Sequence, residues 1–277
     1  MALTPQQRAL ESLLADDDIA TRKLVIEEIC AEKNKNKEMV ERLAQSANPR
    51  VSVQARQILR RWDGDHPLST ENREENSCLM AGWKQLEQFC WLIAKTEYPF
   101  FNPASGVLQL DELAMRVLQS YRESGDKLAA LRKVLVEEEH FCGDTVTYYD
   151  PDNSYMNCVL ESKQGIPLTL ALVYLFVGTR LDWNVTGVNT PGHYLASVDG
   201  VIFDPFSGAR EMAAEELSGR FCMSPEECRS TDFFQANPHD TAHRMLSNLV
   251  NSYTRNGDDA RLRRVSNYLQ ILQDNSF

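Results

Sequence analysis

Apolar residues recur at three- and four-residue steps through most of this chain, a period that predicts helices. In "IATRKLVIEEIC", Leu24, Ile26 and Ile29 stand among charges with helical rather than alternating spacing. In "CLMAGWKQLEQFCWLIAKTEYP", Trp83, Leu86, Cys90 and Ile93 trace one apolar stripe, as expected of a helix resting on a core. A break is expected at "FFNPASG", before the helical stretches "LDELAMRVLQSYRES" and "DKLAALRKVLVEEEHF". "GIPLTLALVYLFVGTRLDW" is different, because it is apolar on every face. It predicts a central helix over 166–182, buried all round, with Pro167 at the first helical position, where a missing N–H costs little. The last stretch reads as two helices joined at "RNGDD".

Between these helices the texture changes. "GDTVTYYDPDNSY" is rich in turn formers, "MNCVLESKQ" suits a short helix, and "NVTGVNT", "HYLASV" and "VIFDPF" read as short strands. Asp199-Gly200 flanked by valines is a strong hairpin signal. With a two-residue turn there, Val198 faces Val201, Ser197 faces Ile202, Ala196 faces Phe203 and Leu195 faces Asp204. His193 then shares a sheet face with Asp204 as its diagonal neighbour. From that position Asp204 can orient the imidazole and favour its charged form, although a His–Asp pair is equally at home as a satisfied polar contact at a sheet edge.

This organisation predicts an α+β fold, predominantly helical. Residues 1–65 form a helical segment in which "DDDIATRKLVIEEI" and "ANPRVSVQARQILR" look like two copies of one unit, similar to a HEAT-like repeat. The polar stretch "DGDHPLSTENREENS" reads as a linker. Residues 78–140 supply helices to the core region, 141–235 an α/β core, and 236–277 a helical hairpin of the tetratricopeptide kind. The net charge of −11 argues against a nucleic-acid or anionic-membrane binder. No uncharged run approaches a membrane span, and "MALTPQQRALESLL" lacks the pattern of a signal peptide. The cysteine count is seven, odd and without a CxxC, so reduced thiols in a cytoplasm are expected. A zinc site built from His140 and Cys142 has no supporting ligand spacing, and neither a metal nor a cofactor is expected.

The stretch from Tyr148 to Gly208 closely resembles the SirB-type transglutaminase-like family, above all in "NSYMNCVLESKQGIP", "PGHY" and "FDPFSG". The resemblance implies a transglutaminase-like (papain-like) core with helical flanking segments. It also implies a Cys-His-Asp triad whose helix opens with Gly-x-Cys and carries an alanine four residues after the cysteine. On "GIPLTLA", Gly165 and Ala171 match the glycine and alanine, while Pro167 stands where the cysteine belongs. His193 and Asp204 match the other two members. A proline has no nucleophilic atom, so the expectation is a non-catalytic module that binds a protein partner. In a variant of this reading, the helical ends bind and the core is only a scaffold. The alternative is an amide hydrolase or acyltransferase that uses His193 and Asp204 with activated water or an off-motif nucleophile. Cys158, Cys142 and Thr169 are the candidates for that role.

Overall fold

The computed structural model describes residues 5–16, 18–46, 82–221 and 235–274, together with 48, 51, 52, 54, 55, 58, 59 and 62. The chain forms two compact units, Met1–Ser69 and Thr70–Phe277. The polar stretch at 63–77 lies outside the described residues, as does the start of the second HEAT-like copy.

In the first unit, helices α1 (Pro5–Leu14), α2 (Ile19–Ala31) and α3 (Lys33–Leu43) follow one another. Leu14, Ile26, Ile29, Val40 and Leu43 are buried together with Val51, Ala55 and Ile58 of a further helical stretch. Leu24, from the same apolar pattern as Ile26 and Ile29, is 67% exposed.

Among the described residues of the second unit the first helix is α4 (Trp83–Glu97), in which Leu86, Cys90 and Ile93 are fully buried, as the stripe predicts. The break expected at "FFNPASG" is narrower than the sequence suggests. Asn102 caps the next helix by accepting from the Ala104 amide, and α5 runs from Pro103 to Ser124, so "PASG" is its first turn. Helix α6 (Lys127–Arg132) passes directly into a π-helical turn, Lys133–Glu138. Strand β1 (Cys142–Gly143), a 3₁₀ turn at Pro151–Ser154, α7 (Met156–Ser162) and β2 (Gln164–Gly165) come next.

Helix α8 (Pro167–Arg180) is the axis of the unit, and every residue from Pro167 to Gly178 is buried. It packs on α4, α5 and an antiparallel sheet of order β3 (Val185–Val188), β4 (Leu195–Val198), β5 (Val201–Asp204) and β6 (Arg210–Glu211). Gly178 permits the close approach to the sheet, since a Cβ there would lie 2.4 Å from Val185 Cγ2. After α9 (Ala214–Phe221), the antiparallel helices α10 (Pro238–Asn256) and α11 (Asp259–Asp274) pack into the same unit. Glu97 of α4, only 6% exposed, accepts from Arg261 Nε at 2.8 Å and Arg264 Nη2 at 2.5 Å, and the Tyr155 and Tyr253 hydroxyls meet at 2.8 Å. No helix among the described residues is long and apolar enough to cross a membrane.

Candidate functional site

The Asp-Gly hairpin forms with the register expected from its turn: Val198 opposite Val201, Ser197 opposite Ile202 and Ala196 opposite Phe203. Asp199 and Gly200 take φ of 48° and 88°, the left-handed pair that such a turn requires. One expectation is corrected. Strand β4 starts at Leu195, and the ladder to β5 starts at Ala196, so His193 lies before the strand rather than on it. The chain turns at Pro191-Gly192, with Gly192 at φ 70°, and delivers His193 from a loop. Asp204 ends β5 and pairs there with Arg210 of β6.

The two side chains nonetheless meet, His193 Nε2 lying 3.0 Å from Asp204 Oδ1. Both are buried, at 9% and 3% exposure. Asp204 Oδ1 also accepts from the Phe206 amide at 3.0 Å, and Oδ2 accepts from the Ser207 hydroxyl at 2.8 Å. Burial pushes this carboxyl up, but His193, Ser207 and the Phe206 amide outweigh that and hold it below its ordinary range. An ionised Asp204 can only accept. That assigns the proton of the neutral ring to Nε2 and leaves the Nδ1 lone pair without a protein partner among the described residues.

The loop carrying His193 is held by its backbone. Thr190 Oγ1 donates to the His193 carbonyl at 2.8 Å, and Arg244 of α10 donates from Nη2 to the same carbonyl at 2.9 Å. Arg244 Nη1 donates to the Thr190 carbonyl at 2.8 Å and to the Asn189 side-chain oxygen. The guanidinium lies over the Tyr194 ring, 5.4 Å from its centroid.

Aromatic side chains flank the imidazole. Phe206 stands edge-on to His193 at 6.2 Å and to Tyr148 at 6.1 Å between centroids. Tyr148 and Tyr149 leave a turn organised by Asp144, which accepts from the amides of Val146 and Thr147 at 2.9 and 2.8 Å and from Asn153 Nδ2 at 2.9 Å. Burial raises that carboxyl, yet its donors prevail and lower it to about 2. Arg255 lies 3.9 Å above the Tyr149 ring.

Phe206 also joins the histidine to the start of the central helix. Strands β1 and β2 pair in parallel with Gly143 opposite Gly165. A Cβ on Gly143 would lie 2.5 Å from the Phe206 ring, so only glycine lets the ring in. The residue pair just before Pro167 is therefore one strand away from the ring that packs on His193. At the helix start, Pro167 takes the first position and Ile166 precedes it as the N-cap.

The alternative nucleophiles are placed as follows. Thr169 is fully buried, and its hydroxyl donates to the backbone carbonyls of Asn153 at 2.7 Å and Ile166 at 3.2 Å. That spends its proton on the fold. Cys158 lies elsewhere, beside Asn157 Nδ2 at 3.5 Å and the Tyr98 phenol, which burial chiefly and then Cys158 and Asp152 push far up. Cys142 is exposed on β1, next to Gly143. No described cysteine is hydrogen-bonded to His193. Among the described residues no three His, Cys, Asp or Glu side chains converge as a metal ion would require, His140 and Cys142 included. Sequence reasoning assigned no role to Phe206, which stands two residues past Asp204 and so carried a local signal. It also missed Arg244, whose contact with His193 spans 51 residues and leaves no short-range pattern.

The chain is 34% identical to the UPF0162 protein of Xylella fastidiosa over 176 residues, covering 58% of this chain and 62% of that protein. It is 29% identical to the UPF0162 protein of Pseudomonas aeruginosa over 178 residues, 62% of this chain and 66% of the other. It is 24% identical to F-box only protein 21 of Homo sapiens over 156 residues, 52% of this chain and 24% of that protein. The chain thus spans less than two thirds of the length of these relatives. No solved structure matches. A family model described as transglutaminase-like superfamily matches residues 105–247, just over half of the chain, and includes the central helix, the His193–Asp204 pair and Arg244. The chain therefore belongs to the transglutaminase-like superfamily.

Proposed function

We propose that this protein is a transglutaminase-like module that binds a protein partner at the surface around His193 without acyl transfer. The observation that carries this reading is Pro167 at the first position of the central helix, where the family motif places its thiol. The proline removes the nucleophile and also one amide donor that an oxyanion would use. Thr169 is committed to backbone carbonyls, and no described cysteine is hydrogen-bonded to His193, so among the described residues no nucleophile paired with the imidazole replaces the missing group. Losing the nucleophile costs a triad enzyme several orders of magnitude in rate, which correct geometry elsewhere does not restore.

A second reading is favoured by one feature, the Nδ1 of His193 with its lone pair free. Oriented by Asp204, this nitrogen can take a proton from a water molecule and support slow amide hydrolysis. Two assays on the full chain test both readings: fluorescent amine transfer to a glutamine donor, and turnover of an acyl ester. The expected result is no transfer and no turnover above the His193→Ala variant. Turnover that disappears in His193→Ala overturns the non-catalytic reading and favours the hydrolase.

A further inference from the structure

We propose that Arg244 is a carboxylate-binding residue of the His193 site, so that the ligand of this site carries a free carboxylate on an apolar or aromatic body. The inference rests on the reading of the surface around His193 as a binding site and specifies what it binds.

The argument starts from donors. A guanidinium has five N–H groups. In Arg244 both on Nη1 are used, by Asn189 and by the Thr190 carbonyl, and one on Nη2 is used by the His193 carbonyl. Among the described residues the Nε–H and the second Nη2–H have no acceptor. Nε and Nη2 flank one edge of the guanidinium plane, the edge that can grip a carboxylate with two parallel hydrogen bonds.

Charge makes the same point. Among the described residues every acceptor Arg244 touches is neutral. Arg180, by contrast, meets Glu87 and Asp111, while Arg261 meets Glu97 and Asp258, and Arg264 meets Glu97. Arg132 also lacks a carboxylate, but its Nε and Nη2 both converge on the Ala209 carbonyl, which closes the edge that Arg244 leaves open. A half-buried cation without a counter-charge is costly. Burial lowers its pKa below the usual guanidinium value.

The surroundings select the kind of anion. Tyr148 lies within the electrostatic reach of Arg244, whose charge opposes the rise that burial gives the phenol. Tyr148 packs on Phe206, and Phe206 on His193. One aromatic wall therefore runs from Arg244 to the imidazole and suits an organic body better than a small inorganic ion. The chain's net charge of −11 repels anions in general, so any carboxylate retained here must be held by local donors.

The test uses the full chain labelled with ¹⁵N in its arginine side chains, with the Arg244 Nε–H resonance assigned by its absence from Arg244→Lys. Three acetylated phenylalanyl dipeptides are titrated: phenylalanyl-glycine with a free C-terminal carboxylate, phenylalanyl-glutamic acid amide with only a side-chain carboxylate, and phenylalanyl-glycine amide with neither. The expected result is a saturable shift of the Arg244 Nε–H with at least one of the two acids and none with the amide. Comparing the two acids tells a chain terminus from an acidic side chain. Arg244→Lys, which keeps the charge but loses the two-donor edge, should weaken that binding at least tenfold. Arg255→Gln removes a charge from the same helix and should change it less than twofold. Equal binding of the amide, absence of any shift, inorganic phosphate competing as well as the acids, or an unchanged Arg244→Lys would each overturn the proposal. The wild-type titration decides the matter even if Arg244→Lys loosens the His193 loop. Acyl transfer detected in the assays above would sink the non-catalytic reading while leaving this result standing.

Discussion

Replacing Asp204 tests whether the buried pair is worth what its geometry implies. In Asp204→Ala, three donors lose their acceptor: the His193 ring N–H, the Phe206 amide and the Ser207 hydroxyl. A hydrogen bond to a charged group contributes about 1.5–3 kcal/mol, and a buried donor left unpaired costs about 1–3 kcal/mol. The Ser207 hydroxyl can rotate, and the half-buried Phe206 amide can recruit water, so those two sit at the low end. The 9%-exposed His193 sits at the high end. With about 1 kcal/mol for each of the first two and about 3 for His193, the sum comes to about 5 kcal/mol. Asp204→Asn keeps the shape. Its amide oxygen still accepts from His193 and Phe206, its NH₂ can donate to Ser207, and only charge assistance is lost, about 1 kcal/mol. The discriminating quantity is therefore a gap of about 4 kcal/mol between the two variants at neutral pH. Urea unfolding followed by near-ultraviolet circular dichroism measures it, provided the slope with denaturant is unchanged. Protonation adds a second signature. The folded carboxyl titrates below its unfolded value of about 3.9, so its stabilisation is complete above that pH and is lost as pH falls through the folded pKa. The wild type should then lose its advantage over Asp204→Asn below about pH 4. Alanine and asparagine variants that unfold together, or that both lie within about 0.5 kcal/mol of wild type, would refute the reasoning.

Other outcomes follow from particular contacts. Gly143→Ala should destabilise by about 1–3 kcal/mol and displace Phe206, visible as a shifted His193 ring resonance, because its Cβ lands 2.5 Å from that ring. Glu97→Ala should cost about 3 kcal/mol or more in urea unfolding, since it takes the carboxylate from the buried Arg264 guanidinium and one of the two carboxylates from Arg261. The Asp144 carboxyl, lowered to about 2, should make the wild type lose stability between about pH 4 and 2, and Asp144→Asn should flatten that part of the acid unfolding curve. Iodoacetamide should label exposed Cys142 at a rate unchanged in His193→Ala; a rate that falls in the variant would make Cys142 a partner of the imidazole.

How far the sequence carries can be judged residue by residue. The hairpin register was legible because Asp-Gly fixes a two-residue turn and the period of two does the rest. The central helix was legible because no face of 167–178 carries charge, and the structure buries all of it. The His193–Asp204 contact was legible for a partly wrong reason. Diagonal pairing on a strand was expected, whereas Gly192 turns the chain and His193 reaches Asp204 from a loop. Other features had no local signature. The π-helical turn at 133–138 sits in a sequence that reads as plain helix, and the pairing of β1 with β2 involves two residues on each side. The two free donors of Arg244 emerge only when partners from the 189–193 loop are counted against a helix far along the chain.

The persistence of a His–Asp pair beside Pro167 does not by itself imply catalysis, because the pair has structural work to do. Asp204 caps the 3₁₀ turn at Pro205–Ser207. That turn sets Phe206 against Gly143, and Gly143 pairs with Gly165 at the mouth of the central helix. Removing Asp204 would loosen this whole junction whether or not any reaction takes place there. Two features are not used by the fold itself. Among the described residues the Nδ1 of His193 has no protein partner, and Arg244 spends three donors on the 189–193 loop while its Nε–H and one Nη2–H keep none. None of these atoms is among the buried polar atoms without a partner, so they stay within reach of water. A ligand that brings a donor for Nδ1 and acceptors for Arg244 can replace that water. This is why the binding reading is tied to Arg244 and Nδ1 rather than to the dyad as such.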